Sequence, residues 1–431
     1  MIKDELFGRL NEQLSRLPVI DTHEHFLPRE SRRDSESDVL SEYTTHYISS
    51  DLVSAGLSLD ELAFIRDVRH PLDKRWRVVE PYWQACRFTG YARALDLSVK
   101  AIYQIDGIQR HTLVPLNEAF QKARQPGHYR YVIRDLCNIE CCVCDSDNSA
   151  LTNGRPLNDD HWARRVWQPV DYYWQCPPLA DMNERSHKVN GQKLKDLDQL
   201  IGMLDADLAE VAEKGVHIIK ITAAYMRSLH FPEVTYTKAR QSMLEFLAGA
   251  GKTPEKPAVY PETVQNYMMH EILKRAHRAQ LVVQVHTGLQ EGNGNNLANS
   301  NPLLLTNLLL KYSDATFDLF HIGYPFIGET TALAKNFANV TLDMCWSHII
   351  APAAARRALD EFIDAVPFNK ISAFGGDYLF VDGLYGHLRL AIENTASVLA
   401  DKVRGGVMDE HQAYVLGRHL FYENPKRILR V

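Results

Sequence analysis

Two histidines stand one residue apart at the end of an apolar run, "LPVIDTHEHFLP", as His23 and His25. On a strand, residues i and i+2 share a face, so this pair could aim both imidazoles at one point. Four more residues of metal-ligand type end, or sit within, later apolar segments. Lys220 lies in "VHIIKIT", His286 ends "LVVQVH", His321 ends "TFDLFH" and Asp377 follows "ISAFGG". Each alone has an ordinary explanation: a hydrogen-bonded histidine, a lysine snorkelling to a rim, an aspartate capping a helix or a turn. The same strand-end register on five segments is better explained by one shared cation. Histidine nitrogens with a carboxylate suit Zn²⁺, with Mn²⁺, Fe²⁺ or Co²⁺ as alternatives. A ligand set with an open position acidifies a bound water. Asp377 beside it could take the proton and return it to a leaving group.

These residues meet only if the segments are parallel strands whose ends share one face. Seven stretches (18–23, 139–144, 216–222, 281–286, 316–321, 339–344 and 371–376) are short and rich in β-branched or aromatic residues, as strands buried on both faces are. Helical patterns over 264–280, 301–313, 330–338 and 354–366 separate the later ones. From about residue 200 this alternation implies βα units, and a parallel barrel gathers its strand ends at one active face. The start, "MIKDELFGRLNEQLSRLP", reads as an amphipathic helix with Leu6, Leu10 and Leu14 on one side. Residues 30–200 differ. "DSESDVLSEY", "EPYWQACRFTGYARALDLSVKAIYQ" and "LVPLNEAFQKARQ" look helical, while "TNGRPLNDDHWARRVWQPVDYYWQCPP" is aromatic and irregular. The expectation is an α/β barrel over 1–431 as a single domain. A mainly helical insertion or lid fills about 30–135, with one or two further strands before residue 200.

Composition narrows the function. The chain has 431 residues, 45% hydrophobic, with net charge −6 and a pI near 6.3. That argues against nucleic acid or an anionic membrane as the main partner. No apolar run approaches the length of a membrane span, and no signal-peptide pattern opens the chain, so a cytoplasmic protein is expected. Seven cysteines, an odd number, speak against a disulfide scaffold. "CNIECCVCDSD" could suggest a thiolate metal site, but adjacent cysteines on a strand alternate faces, which favours small buried hydrophobes. "GLQEGNGNN" (288–296) matches neither glycine-rich phosphate motif and reads as a mobile loop over the site. No GxSxG elbow is present.

The HxH pair, the mid-chain lysine, the two later histidines and the final aspartate together resemble the amidohydrolase superfamily, whose fold is a distorted (β/α)8 barrel. "VQVHTGLQEGNGNNLANSNPLLLTNLLLKY" and "DLFHIGYPFIGETTALAKNFANVTLDM" resemble its amidohydrolase-2 branch. That branch includes the hydrolase-like halves of nodulin/glutamine-synthetase fusion proteins. The resemblance implies core ligands at His23, His25, His286 and Asp377. It makes His321 a second-metal ligand or a catalytic base. It places Lys220 where binuclear members carry a carboxylated bridging lysine. Just past that strand, "ITAAYMRS" offers Tyr225 and Arg227. Arg227 is a candidate to clamp a substrate carboxylate, or else a surface arginine paired with an acid. Tyr324, Trp346 and His348 follow strands on the same face and either line the pocket or pack beneath the lid. Three functions compete. One is a metal-dependent hydrolase acting on an amide, lactone or related bond of a small, carboxylate-bearing substrate. Another is a decarboxylase or uronate-isomerase-like enzyme on the same barrel. The third is a non-enzymatic scaffold. Relatives imply a homo-oligomer.

Overall fold

The computed structural model describes residues 5–26, 36–145, 162–251 and 253–431. Among the described residues, eight parallel strands carry the core. β1 (Val19–Glu24), β2 (Ile139–Cys144) and β3 (Ala163–Arg165) form one sheet in that order. β4 (Ile218–Ile221), β5 (Val282–Val285), β6 (Thr316–Leu319), β7 (Val340–Asp343) and β8 (Ile371–Ser372) form a second, also in chain order. Hydrogen bonds join the sheets at both edges. After β3, Trp167 N donates to Ile218 O (3.0 Å) and Lys220 N donates to Trp167 O (2.9 Å). At the other edge, Thr22 N donates to Phe374 O (3.2 Å) and Asp377 N to His23 O (2.8 Å). The α/β barrel expected from the sequence is therefore the fold.

Most strands fall where their apolar runs predict them, and β1 is buried along its whole length. β3 lies in the stretch read as irregular. It is three residues long, "ARR", and only Ala163 is buried, too short for any period to show. Residues 152–161 of that stretch lie outside the described part. The thiols of β2 behave as packed hydrophobes. All seven cysteines are free and buried, and burial pushes the Cys142 and Cys144 thiols well above their usual range.

Between β1 and β2 the chain builds helices Val39–Tyr43, Tyr47–Ser54, Leu59–Arg66, Leu72–Cys86, Gly90–Tyr103 and Leu113–Lys122. Asp38 and Ser58 start two of them with reciprocal capping boxes, each satisfying backbone donors that a helix start leaves open. The helices share a core that includes Leu52, Ile65, Trp76, Leu95 and Phe120. This core runs on into Phe320, Trp346 and Tyr378 at the strand ends, so the insertion roofs the barrel's C-terminal face. Helix Gly90–Tyr103 also lies on the long helix Asp382–Arg404. The approach is close enough that a Cβ on Gly386 would stand 1.7 Å from Ala94 O. The N-terminal helix, Glu5–Ser15, buries Leu10 and Leu14. Among the described residues, no helix is long and apolar enough to cross a membrane.

Candidate metal centre and active site

The barrel brings His23, His25, Lys220, His286, His321 and Asp377 to one place. A cavity of about 190 Å³ is lined by His25, Lys220, His286, His321 and Asp377, with Tyr225, His46, Tyr47 and Glu291 among its other walls. His23 is fully buried beside them. His25 Nε2 lies 3.0 Å from Asp377 Oδ1, and His23 Nε2 lies 3.6 Å from the same oxygen. His321 Nε2 is 3.8 Å from Asp377 Oδ2. Lys220 Nζ sits 3.4 Å above the Phe320 ring.

Backbone geometry is strained where these side chains are delivered. His321, Ile322, Trp346 and Asp377 have φ between 52° and 64°, a region that non-glycine residues avoid unless the surroundings hold them there. His46, in the insertion, shares this feature with φ 58°.

The outer nitrogens of three imidazoles are fixed by backbone carbonyls. His25 Nδ1 meets Asp145 O (3.0 Å), His286 Nε2 meets Leu289 O (2.8 Å) and His321 Nδ1 meets Cys345 O (2.9 Å). A nitrogen that donates to a carbonyl leaves the other ring nitrogen proton-free in the neutral form. His286 Nδ1 and His321 Nε2 then face each other at 3.0 Å with lone pairs opposed. His23 has both ring nitrogens buried without a hydrogen-bond partner. These are the properties of a donor set for divalent cations, and the residues fit such an ion. Two groups of donor atoms are mutually close: His23, His25 and Asp145; and His321, Cys345 and Asp377.

Charge agrees with this. Burial, reinforced by the Lys220 charge, holds the His23 imidazole well below its usual range. Burial and His321 do the same to His286. Burial lowers His321 to about 4 against the pull of Asp377. Burial pushes the Asp377 carboxyl upward, but the hydrogen bond from His25 and the charges of His25, His23 and His321 outweigh it. It stays well below the usual carboxylate range, so Asp377 is an anion; burial pushes the His25 imidazole down, but the hydrogen bond and charge of Asp377 raise it above its usual range.

The residues proposed to touch substrate separate into two groups. Tyr225 lines the cavity, its ring 4.5 Å from that of His286, and its hydroxyl accepts from Glu291 N. Arg227 is not among the lining residues. Its guanidinium donates to Gln265 Oε1 (2.8 Å) and His230 O (2.9 Å) and stacks on Phe231. Tyr324 turns the chain beyond His321, and its carbonyl accepts from Leu289 N (2.6 Å). Trp346 is buried behind the site, stacked on Tyr47 at 4.5 Å and edge-on to His321 at 5.1 Å. His348 lies deeper, bonded to Ala373 O and Asn394 Nδ2.

Sequence reasoning missed His46, Tyr47, Asp145 and Glu291. Tyr47 donates its hydroxyl to Asp377 O (2.5 Å). Glu291 comes from the glycine-rich loop, whose Asn293 donates to Ser50 O of the insertion (3.0 Å). Asp145 had a usable signal, because it follows β2 in the same strand-end register as the candidate ligands.

Comparison with known proteins gives a consistent frame. The amidohydrolase family model matches residues 203–431, more than half of the chain. The uronate isomerase of Thermotoga maritima superposes with a TM-score of 0.79 at 15% identity, covering 99% of this chain and 97% of that one. The glucuronate isomerase of Caulobacter crescentus gives 0.73 at 17% identity, over 99% and 94% of the two chains. At this identity the likeness is one of fold. Protein fluG of Emericella nidulans is 26% identical over 181 residues, which take in 40% of this chain but only 20% of that protein's length.

Proposed function

The chain belongs to the amidohydrolase family, and on that premise we propose that it is a metal-dependent hydrolase of an amide, lactone or related ester bond in a small molecule. The observation that carries this reading is the meeting of His23, His25, His286, His321, Asp377 and Lys220 at one roofed cavity. A divalent cation held among the histidines and Asp377 would act as a Lewis acid on a substrate oxygen and acidify water. Asp377, held as an anion, takes the proton of the attacking water and passes it to the leaving group. Proton-free His321 Nε2 faces the same space and can share that transfer. His46, Tyr47 and Tyr225 shape the walls around the bond to be cleaved. The insertion and the loop cover the cavity from above. Arg227 is engaged within its own wall, so the proposal rests on no guanidinium clamp. Seven free, buried thiols support a reducing compartment.

The test has two parts. Elemental analysis of the purified protein should find a divalent metal. Turnover of an amide and lactone panel in ¹⁸O-enriched water should place one solvent oxygen in the product. A metal-free protein that turns over as well as the loaded one would end this reading. The likeness along the whole chain to two uronate isomerases, insertion included, supports a second reading in which the same residues move a proton within a uronate. That reaction would take up solvent deuterium at carbon and no ¹⁸O from hydrolysis.

A further inference from the structure

Asp145 is not among the ligands that the strand-end pattern picks out, yet it stands with them. It follows β2, and its N–H donates to Glu24 O (2.7 Å), carrying the β1–β2 ladder one residue further. Its side chain is buried. Asp145 Oδ2 lies 3.7 Å from His23 Nε2, on the same nitrogen that meets Asp377 Oδ1 at 3.6 Å. Ligand atoms about 2.1 Å from a tetrahedral cation lie about 3.4 Å from one another. His23 Nε2 therefore stands close to that spacing from an oxygen of each carboxylate; donor atoms of His23, His25 and Asp145 lie within 4.8 Å of one another, and His25 Nε2 meets Asp377 Oδ1 at 3.0 Å.

The supports of Asp145 are those of a ligand. Gln168 Nε2 reaches both carboxylate oxygens at 2.6 Å and fixes the plane of the group. The Asp145 carbonyl accepts from His25 Nδ1 and so turns that ring's other nitrogen inward. One residue thus supplies a donor and orients another, the arrangement by which outer contacts tune a metal site. His23 Nε2 is fully buried and without a hydrogen bond.

We propose that Asp145 is a ligand of the first divalent cation, which is then held by His23, His25, Asp145 and Asp377 without needing Lys220. This rests on the metal-dependent reading above. It predicts that this cation binds whether or not Lys220 is present or modified.

The test is the affinity for Zn²⁺ and Mn²⁺, measured on apoprotein by competition with a chromogenic chelator, with circular dichroism to monitor the fold. Asp145→Asn should weaken the tightest site at least tenfold, while Lys220→Gln leaves that site within about threefold of wild type. Should Asp145→Asn fail to fold, Gln168→Leu decides the matter, because loss of the orienting amide should weaken the same site about tenfold. Wild-type affinity in folded Asp145→Asn, or in Gln168→Leu where that variant decides, overturns the assignment. So does a loss in Lys220→Gln equal to that in Asp145→Asn. If the wild-type chain itself binds neither ion, the metal-dependent reading fails, and the assignment fails with it.

Discussion

Asp377 is held from several directions at once. Its N–H donates to His23 O, its carbonyl takes the Tyr47 hydroxyl, and its carboxylate meets His25 and His23. That rigidity suits the role proposed for it, holding a proton briefly at a fixed point. Asp377→Asn should lower kcat by about 10²–10⁴-fold while circular dichroism and elution volume match wild type. Retained turnover would remove Asp377 from the chemistry. Residue type and register made the six side chains that meet at this cavity legible, because a histidine or aspartate closing an apolar strand is rare enough to stand out when repeated. Asp145 obeys the same rule, but β2 reads as a run of small thiols and does not advertise its end. Direction is what one-dimensional spacing leaves open. Arg227 has the right type and a plausible place, yet it turns to Gln265 and His230 rather than into the cavity.

At the level of elements, the insertion is held to the barrel by more than the residues at its tip. Helix Gly90–Tyr103 crosses the long helix Asp382–Arg404 at a contact with no room for a methyl group on Gly386. Gly386→Ala should cost about 1–3 kcal/mol through overpacking, read as a lower urea midpoint. An unchanged midpoint would mean the two helices part easily. The strand–helix alternation beyond residue 200 was legible because each element there is long enough to show its own period. The short β3, and the way six insertion helices stack, were not. Three residues carry no period, and helix stacking depends on contacts between segments far apart in sequence. His46 and Tyr47 belong to that second kind. Nothing local marks them, and their place over His25 and Asp377 follows from the packing of the whole insertion.

The molecule as a whole should show two linked responses. Burial lowers His348 to about 4, so between pH 6.5 and 4 the unfolded chain takes up this proton before the folded one does. Acidification therefore removes stability, about 2 kcal/mol by pH 5 from this residue. Asp21, pushed up to about 7 by burial, works in the opposite sense, because the folded state keeps its proton longer. A comparison of wild type with His348→Gln cancels the Asp21 contribution. Wild type should lose about 2 kcal/mol relative to the variant on going from pH 7 to 5, by urea titration at each pH. Parallel pH profiles would show that His348 titrates normally. Removal of divalent cations should lower the thermal midpoint in proportion to occupancy, since a cation at a hundred times its Kd adds about 2.7 kcal/mol to the folded state. Identical melts of chelated and loaded protein would refute a bound ion. Finally, the seam between β1 and the Asp377 end of the chain has a consequence in time. His23 and His25 are made long before Asp377, and the bond from Asp377 N to His23 O closes the ring of strands. A ribosome-bound chain short of that last strand holds only part of the proposed ligand set. An ion bound as proposed would therefore be captured only after that strand has joined β1, as a rivet through a joint that has only just met.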